Sequence, residues 1–454
     1  MTLSVCILAA GQGKRMHSDL PKVLHRIGNK ALVEHVLDTA GEVSKKPPIV
    51  VYGHGGEQLR SAISHEVVWV EQREQLGTGH AVREALPHLV DSDMTLILYG
   101  DVPLLRATTL DKLIAAAQTT GFGLLTVVLG DPAGYGRIVR NSSGAVVRIV
   151  EHKDASLSEL SITEVNTGIM AIQSSLLQRW IPALENNNAQ GEYYLTDCVA
   201  AAVEQGIEIS AVQADHEAEV TGVNNRLQLA TLEREYQNAI AKDLMECGVM
   251  LRDPTRIDVR GQLRCGRDVE IDINTLFVGN VTLGDRVSVG PNCVIENAVI
   301  GDGVEILANS VIDSAQIGND SKIGPFARIR PDTVLGNAVH VGNFVEIKKT
   351  VIRDGSKVNH LSYVGDSDIG RNVNVGAGTI TCNYDGAFKH KTTIEDDVFI
   401  GSDTQLVAPV TVRRGATIGA GTTVTAEVAA DDLVISRVKQ KSISGWKRPR
   451  KPTT

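Results

Sequence analysis

The chain has 454 residues, of which 43% are hydrophobic and 22% charged, so it is long enough for about two or three domains and apolar enough to bury sizeable cores. A single small module and a disordered chain are thereby excluded. The balance of 45 Lys and Arg residues against 54 Asp and Glu residues gives a net charge of -9, which disfavours a protein that coats nucleic acid or an anionic membrane.

The six cysteines contain no C-x-x-C pair, so the sequence indicates neither a zinc site nor a dense disulfide scaffold. The longest apolar runs are too short for a membrane span. We therefore expect a cytoplasmic chain without a signal peptide or a transmembrane segment.

Residues 1–226 alternate short apolar runs with amphipathic stretches, which is typical of an α/β domain with a largely parallel, Rossmann-like sheet. The predicted strands are residues 5–10, 49–52, 67–70, 95–99 and 124–129, and the predicted helices are residues 32–40, 80–89 and 109–117. Ligands of such sheets bind beyond the carboxyl ends of the strands. Residues 227–247 contain no Pro or Gly and mix apolar with charged residues, so we expect a helical linker there.

From about residue 270, aliphatic residues recur at every sixth position and are often followed by glycine. The longest runs are Ile317, Ile323, Ile329, Leu335, Val341 and Ile347, and then Ile394, Ile400, Leu406, Val412, Ile418 and Val424. Neither a helix nor a simple strand has this period, whereas one short strand and one turn per hexad does. The pattern predicts that residues 248–454 form a parallel β-helix, with three hexads in each triangular coil and the aliphatic side chains inside. It resembles the hexapeptide β-helices, and this resemblance implies a left-handed coil.

The repeat is interrupted at residues 376–393, a segment rich in Gly, Thr, Asn, Tyr and Lys that we expect to project as a loop. After about Asp432 the acidic residues stop and a basic tail follows, which is either a phosphate-binding segment or a solvated terminus. Its cations are Arg437, Lys439, Lys441, Lys447, Arg448, Arg450 and Lys451.

The first predicted strand is followed by the segment Gly11-Gln12-Gly13-Lys14-Arg15. Glycines after a strand let backbone amides approach a phosphate closely, and the neighbouring cations can neutralise its charge. The segment is neither a Walker A loop nor the dinucleotide fingerprint. Taken alone, it also fits an ordinary tight turn with solvated charges.

Further motifs narrow the interpretation. The runs LAAGQGKRM and LPKVL resemble the opening signature of nucleotide-sugar pyrophosphorylases, and QLGTGH, YGDVP, GYGR, VEHK, EVNTG and GVNN follow in order. With the hexapeptide half, nearly the whole chain resembles the bacterial bifunctional N-acetylglucosamine-1-phosphate uridylyltransferase and glucosamine-1-phosphate N-acetyltransferase family. One departure is Lys14, where the family often has a small or hydroxyl residue.

For the N-terminal half, the resemblance implies uridylyl transfer from UTP with Mg²⁺. Asp101 ends a predicted buried strand, where a carboxylate can hold Mg²⁺ against phosphate oxygens or simply face water, and the resemblance supplies Asn224 as the second metal ligand. Arg15 and Lys22 are expected to stabilise the phosphates. The expected UTP and UDP-N-acetylglucosamine contacts are Leu8, Ala9, Ala10, Gly11, Lys22, Gln72, Gly77, Thr78, Tyr99, Gly100, Asp101, Gly136, Glu151, Asn166 and Asn224.

For the C-terminal half, the resemblance implies acetyl transfer from acetyl-CoA, with His360 as the base, because an imidazole can take a proton from an amine at neutral pH. A lone His in a β-helix is also compatible with surface decoration. The expected sugar-phosphate contacts are Arg330, Lys348, Tyr363 and Asn374. The expected acetyl-CoA contacts are Ala377, Asn383, Tyr384, Ser402, Ala420 and Arg437.

The combined expectation is a homotrimeric enzyme that acetylates glucosamine 1-phosphate and then makes UDP-N-acetylglucosamine, which feeds cell-wall and lipopolysaccharide synthesis. One alternative keeps the nucleotidyltransferase and makes the β-helix a trimerisation stem. Another is a non-catalytic scaffold that binds sugar nucleotides. In each case the partners are small molecules rather than nucleic acid or membrane.

Overall fold

The computed structural model describes residues 2–53, 55–89, 91–188 and 190–450. The chain divides into two units, Met1–Tyr236 and Gln237–Thr454, and the boundary falls within the helix Arg226–Glu246. Lys451, which belongs to the predicted basic tail, lies outside the described residues. No helix among the described residues is long and apolar enough to cross a membrane.

The first unit mixes strands with helices along the chain. Its strands are β1 Leu3–Ala9, β2 Arg26–Ile27, β3 Lys30–Ala31, β4 Ile49–Tyr52, β5 Val68–Glu71, β6 Met94–Tyr99, β7 Phe122–Val128, β8 Arg137–Arg140, β9 Val146–Val150, β10 Glu164–Gln173 and β11 Ser210–Gln213. Its helices are α1 Leu32–Val43, α2 Gly56–Ala62, α3 Thr78–Ala85, α4 Ala107–Thr120, α5 Leu157–Leu160, α6 Ser174–Trp180, α7 Asp197–Glu204 and α8 Glu217–Val220, and α9 Arg226–Glu246 crosses the boundary. Short 3-10 turns lie at Lys14–Met16, Lys22–Leu24, Leu86–His88, Ile181–Ala183 and, in the second unit, Pro254–Arg256.

One mixed sheet organises this unit. Its main strand order is β11-β7-β10-β6-β1-β4-β5, and β8 extends it by pairing with β10 and β9. Strand β10 is antiparallel to its neighbours β6 and β7, whereas β6, β1, β4 and β5 are parallel. Leu8 of β1 pairs with Tyr99 of β6, so the glycine segment after β1 and Asp101 after β6 leave the sheet at the same edge.

The second unit is a stack of short parallel strands, as the hexad pattern predicts. Its strands are β12 Met250–Leu251, β13 Ile257–Cys265, β14 Glu270–Ile271, β15 Thr275–Leu283, β16 Ser288–Val289, β17 Val294–Glu296, β18 Val299–Ile300, β19 Glu305–Ile306, β20 Val311–Asp313, β21 Ala315–Ile317, β22 Lys322–Ile323, β23 Arg328–Ile329, β24 Thr333–Leu335, β25 His340–Asn343, β26 Glu346–Lys348, β27 Val351–Ile352, β28 Lys357–His360, β29 Tyr363–Gly365, β30 Ser367–Ile369, β31 Asn374–Val375, β32 Ile380–Cys382, β33 Thr392–Ile394, β34 Phe399–Ile400, β35 Gln405–Val407, β36 Val410–Val412, β37 Thr417–Ile418, β38 Thr423–Val424 and β39 Leu433–Val434.

The strand register explains the six-residue period. Ile329 pairs with Ile347, and Ile347 pairs with Val364 one coil later, so each coil takes about three hexads. The aliphatic residues of both predicted runs are buried together in one core. A parallel β-helix is therefore confirmed for this half of the chain.

The interruption of the repeat is shorter than the sequence predicts. Ile380–Cys382 and Thr392–Ile394 continue the coil as β32 and β33, so only residues 383–391 project from it. The sequence misses β32 because Thr381 stands where the hexad pattern expects an aliphatic residue, yet it is buried. The Thr381 hydroxyl accepts a hydrogen bond from the Gly365 amide at 2.8 Å, which lets a polar side chain occupy the core.

Candidate active sites

A cavity of about 460 Å³ opens at the carboxyl ends of β1 and β6. Residues expected to bind the nucleotide make up most of its wall, namely Leu8, Ala9, Ala10, Gly11, Lys22, Gln72, Gly77, Thr78, Tyr99 and Asp101. Lys14, Gln75 and Glu192 also line it. Gln75 lies inside the QLGTGH motif and was available to sequence reasoning, whereas Glu192 is more than a hundred residues away and no local pattern marks it.

The wall at Gly77 is shaped by a close approach of two chain segments. The Gly79 amide donates to the Tyr193 carbonyl, and the Tyr193 amide donates to the Leu76 carbonyl, both at 2.8 Å. Gly77 has φ 107°, and a Cβ there would lie 2.6 Å from the Tyr193 oxygen, so only glycine fits. The buried Gln72 side chain donates to the Gly77 carbonyl at 3.0 Å, which fixes the start of helix α3 beside the cavity.

Lys22 and Asp101 line this cavity, and Asn224 lies against Lys22 beside it. The Lys22 ammonium contacts Asp101 Oδ2 closely and lies 3.3 Å from Asn224 Oδ1. The Lys22 and Asp101 side chains are only 12% and 15% exposed. The Val223 amide donates to the Asp101 carbonyl at 2.9 Å, and Gln228 in the first turn of α9 accepts the Asn224 amide proton at 2.8 Å. Two side-chain oxygens therefore converge on one cation position.

This pair of oxygens fits a magnesium ion, which takes only one or two protein ligands and keeps several waters. No group of three or more His, Cys, Asp or Glu side chains in the described part of the chain is arranged to hold a metal. Burial, with the charge of Asp101 beside it, raises the pKa of Tyr99. The Tyr99 hydroxyl therefore stays protonated at the edge of the site.

The other predicted residues of the first unit lie outside the cavity wall. Gly136 and Asn166 are joined by a 2.9 Å hydrogen bond from the Asn166 amide to the Gly136 carbonyl. A Cβ on Gly136 would lie 3.3 Å from a Glu151 oxygen, so these three residues form a separate group. Gly100 links β6 to β1 by donating to the Leu8 carbonyl at 2.9 Å, and Arg15 is exposed.

The Glu151 carboxyl has an unusual environment. Desolvation, followed by the negative charges of Asp154 and Asp197, raises its pKa above the ordinary value. A carboxylate that is held among other carboxylates gains from neutral hydrogen-bond donors such as sugar hydroxyls. Glu151 is thus suited to a polar, uncharged part of a ligand.

In the second unit, His360 lies on one corner of the β-helix, which we call the His360 corner. It comprises Pro325, Asn343, His360, Ala377, Ser402 and Ala420 on successive coils, each followed by the residue that makes the turn. Three residues expected to contact acetyl-CoA, namely Ala377, Ser402 and Ala420, therefore lie on the same corner as His360, on the coils that follow it.

Asn343 stands one coil before His360, and its Oδ1 lies 3.0 Å from His360 Nδ1. With the ring proton on Nδ1, this bond orients the imidazole and leaves Nε2 as the free base. Sequence reasoning missed Asn343. The hexad register could have found it, because residues 17 or 18 positions apart share a corner.

The residues that turn this corner are unusual. Phe326, Phe344 and Leu361 all have φ between 48° and 55°, a left-handed conformation that is strained for bulky side chains. They are 48%, 57% and 64% exposed, and the two Phe rings stack at 5.2 Å. The preceding coils of the same corner use Asn274, Asn292 and Asn309 instead, and the following coils use Gly378, Asp403 and Gly421.

The residues expected to bind the sugar phosphate are divided between two faces. Arg330 and Lys348 lie at matching positions of consecutive coils on one face, and Tyr363 begins the next strand of that face just after the His360 corner. Asn374 lies on the other face of the corner, in register with Lys357. Glu346 accepts a 2.6 Å hydrogen bond from Arg330 and was missed by sequence reasoning.

Asn383 and Tyr384 lie away from the other residues expected to contact acetyl-CoA. The buried Asn383 donates to Asp366 at 2.5 Å and lies 3.5 Å from the Tyr363 hydroxyl. It is five residues beyond Gly378 on the His360 corner, which corresponds to about 16 Å of extended strand. One chain therefore does not bring the whole predicted acetyl-CoA set together.

Arg437 lies near the end of the His360 corner. A Cβ on Gly419 would be 2.9 Å from Arg437 Nη2, so the guanidinium sits beside the coil that carries Ala420. The rest of the described tail is exposed and without regular structure.

Comparison with known proteins bears on both units. The family model of the MobA-like NTP transferase domain matches residues 5–158. The models of the GMPPB C-terminal domain and of the hexapeptide repeat of succinyl-transferase match residues 259–343 and 391–426.

Curated relatives match over almost their whole length. The bifunctional proteins GlmU of Cupriavidus pinatubonensis and Aromatoleum aromaticum are 57% and 58% identical over 450 residues, which are 99% of this chain and 99% of each relative. That of Methylococcus capsulatus is 57% identical over 453 residues, 99% of this chain and 98% of the relative. The chain belongs to the GlmU family.

Membership in the GlmU family confirms the resemblance drawn from the sequence motifs and the expectation of a bifunctional transferase. The NTP transferase match covers every residue of the cavity wall except Glu192, and the hexapeptide match covers part of the His360 corner. A solved inositol-1-phosphate CTP transferase from T. maritima also matches 52% of this chain and 97% of its own, with 17% identity. Its TM-score of 0.40 is too low to add to the argument.

Proposed function

We propose that the chain makes UDP-N-acetylglucosamine in two steps. The second unit transfers an acetyl group from acetyl-CoA to the amine of glucosamine 1-phosphate. The first unit then transfers uridylyl from UTP to N-acetylglucosamine 1-phosphate and releases pyrophosphate. The observation that carries this proposal is the convergence of Asn224 with Lys22 and Asp101, which line the cavity, in a GlmU-family chain.

In uridylyl transfer, a phosphate oxygen of the sugar 1-phosphate attacks the α-phosphorus of UTP in line, and pyrophosphate leaves. The protein mainly has to position the two phosphates and neutralise their charge. Asp101 and Asn224 would hold Mg²⁺, which withdraws charge from phosphate oxygens when it is bound. Lys22 and Arg15 supply positive charge, and Gln72, Gly77 and Thr78 hold the uracil nucleotide.

The group formed by Gly136, Glu151 and Asn166 is the proposed site for N-acetylglucosamine. Its backbone and amide groups match sugar hydroxyls and an acetamido group, which donate and accept hydrogen bonds without carrying charge. The raised pKa of Glu151 agrees with a neutral partner at this carboxylate.

In acetyl transfer, the sugar amine attacks the thioester carbon of acetyl-CoA. His360 Nε2 receives the proton that the amine loses, and Asn343 keeps the ring in the required tautomer. Arg330 and Lys348 hold the phosphate. The protonated His360 returns this proton to the departing sulfur, and coenzyme A leaves as the thiol along the column of Ala377, Ser402 and Ala420.

We infer that this second site is completed by another copy of the chain, in a homotrimer. Asn383 and Tyr384 lie about one strand length from the His360 corner, and the exposed loop of residues 383–391 is the segment that can reach a neighbouring corner. Acetyl-CoA, UTP and Mg²⁺ are the proposed co-substrates and cofactor, and the cytoplasm is the proposed location.

The test is a single reaction with purified protein, glucosamine 1-phosphate, acetyl-CoA, UTP and Mg²⁺, in which free thiol and pyrophosphate are measured separately. Both products are expected. Asp101→Asn should abolish pyrophosphate release and leave thiol release intact, whereas His360→Ala should abolish thiol release and release pyrophosphate only when N-acetylglucosamine 1-phosphate is supplied. Pyrophosphate release only from supplied N-acetylglucosamine 1-phosphate, without thiol release, would reduce the β-helix to a stem. Release of neither product would contradict the proposal.

A further inference from the structure

The position where the proposed Mg²⁺ ligands converge is held by a side chain of the protein itself. The Lys22 ammonium bridges Asp101 Oδ2 and Asn224 Oδ1, the two oxygens assigned to the metal under the proposed function. Both charged side chains are largely shielded from water, so an unpaired Asp101 carboxylate would be costly here. A carboxylate that is already neutralised attracts a second cation only weakly.

We propose that the Lys22 ammonium is a placeholder cation, which holds the Asp101 and Asn224 oxygens together in the nucleotide-free protein and leaves them when Mg²⁺ binds. This inference rests on the proposed function, because it takes Asp101 and Asn224 as the metal ligands. It assigns Lys22 a role before any nucleotide is bound, in addition to its expected contact with phosphate.

The Cβ atom of Lys22 is held by packing, and its ammonium group has a second position within reach. A Cβ on Gly13 would lie 2.7 Å from Lys22 Cβ, and Gly13 has φ 61°. The Cβ atom of Lys22 therefore packs directly on the glycine segment of residues 11–15, where phosphates are expected. A Cβ on Gly11 would lie 3.8 Å from both Cε and Nζ of Lys22. Rotation of the last side-chain bonds therefore carries the ammonium from the carboxylate to the loop where phosphates are expected.

The exchange has a direct consequence for binding. When a triphosphate enters, its oxygens offer the ammonium a new partner, and the Asp101 carboxylate is left free for the metal that accompanies the nucleotide. Without nucleotide, a metal ion has to displace the Lys22 ammonium from Asp101, and no phosphate oxygen is present to pair with the displaced ammonium. Free divalent cations should therefore bind weakly to the empty site, and phosphate and metal should favour each other's binding.

The test measures metal binding without any turnover. Full-length protein without nucleotide is titrated with Mn²⁺, a magnesium substitute, and free Mn²⁺ is followed by its paramagnetic resonance signal. Lys22→Gln should bind Mn²⁺ at least about tenfold more tightly than the unaltered chain, because a like charge has been removed from a shielded site. Lys22→Arg keeps the charge and should show no such gain.

Lys14→Gln is the matched control, because Lys14 lines the same cavity and belongs to the same loop. It removes one positive charge from the pocket and should change Mn²⁺ affinity by much less than Lys22→Gln. Equal or weaker binding by a folded Lys22→Gln variant, or an equal gain in Lys14→Gln, would overturn the placeholder role. Asp101→Asn in the Lys22→Gln background should abolish the gain, and persistence of binding there would instead show that the assigned metal ligands are wrong.

Discussion

Replacing Arg137 with methionine removes a buried cation that holds one wall of the proposed sugar site. Arg137 is 2% exposed and begins strand β8. Its Nη1 donates to the carbonyls of Pro132 and Tyr135, and its Nη2 lies 3.4 Å from His152 Nδ1. The guanidinium therefore ties the loop before Gly136 to the residue after Glu151.

The cost of the change follows from the groups that lose their donor. Each hydrogen bond from a charged donor contributes about 1.5–3 kcal/mol. Methionine removes both bonds, so the Tyr135 carbonyl loses its donor and the Pro132 carbonyl keeps only the Tyr135 amide at 3.2 Å. Part of this is regained because a buried charge with an unpartnered Nε no longer has to be desolvated. We expect Arg137→Met to lower the free energy of unfolding of the first unit by about 3 kcal/mol. The stability of Arg137→Lys should lie between those of the unaltered chain and Arg137→Met.

Tryptophan fluorescence during urea unfolding can measure this change in the first unit alone. Of the three tryptophans, Trp69 and Trp180 lie in the first unit and Trp446 lies in the C-terminal tail, so a Trp446→Phe background removes the signal from elsewhere. In uridylyl transfer, Arg137→Met should raise the KM for N-acetylglucosamine 1-phosphate more than the KM for UTP, because Gly136 directly follows the loop that Arg137 holds. Acetyl transfer should not change.

Arg140→Met is the matched control on the same strand. Arg140 pairs with Glu164 at 2.6 and 2.8 Å, but the pair is partly exposed, so its loss should cost less than about 1 kcal/mol. A loss below 1 kcal/mol for Arg137→Met as well, or an equal rise of both KM values, would refute the reasoning that Arg137 supports the sugar wall.

Other predictions concern the base, the sugar carboxylate and the strained corner. Asn343→Ala should lower kcat of acetyl transfer about tenfold or more by freeing the His360 ring, with uridylyl transfer unchanged; an unchanged kcat would remove Asn343 from this role. Because the pKa of Glu151 is raised, its carboxylate is lost at a higher pH than usual, so KM for N-acetylglucosamine 1-phosphate should rise as the pH falls; Glu151→Gln should flatten that profile, and an unaltered slope would assign it to another group. Phe344→Asn should keep the coil folded, because Asn309 makes the turn at the same corner, and it should lower the rate of acetyl transfer. Full activity in that variant would show that the exposed Phe344 ring, which stacks on Phe326, is not needed for acetyl transfer.

The fold was predictable wherever a period could be counted. Six-residue spacing alone identifies the β-helix, because each hexad must place one aliphatic residue inside and one small residue at a turn. The prediction fails at β32, where Thr381 occupies the core. A buried hydroxyl is acceptable there only because the Gly365 amide lies within reach, and that neighbour belongs to the previous coil.

The site was predictable where its residues stand in local motifs. Gly77 and Asp101 follow strands and belong to recognisable runs, and both line the cavity. The contact of Lys22 with Asn224 joins residues 202 positions apart, and no local pattern specifies it. Glu192 reaches the cavity because Tyr193 docks on Leu76 and Gly79, which depends on packing between distant segments.

The backbone of the second unit singles out the His360 corner independently of any motif. A β-helix coil that only has to turn can use Asn, Asp or Gly, which adopt the left-handed conformation easily, and most coils of the His360 corner do so. Phe326, Phe344 and Leu361 break that rule on three consecutive coils, the last of which carries His360 itself. Each costs about 1–2 kcal/mol that Asn would largely avoid, and each exposes an apolar side chain that stability alone does not require. Strain of this kind persists where function needs the side chain, and the corner that violates the local rule is also the corner where the proposed base and three of the residues expected to contact acetyl-CoA lie.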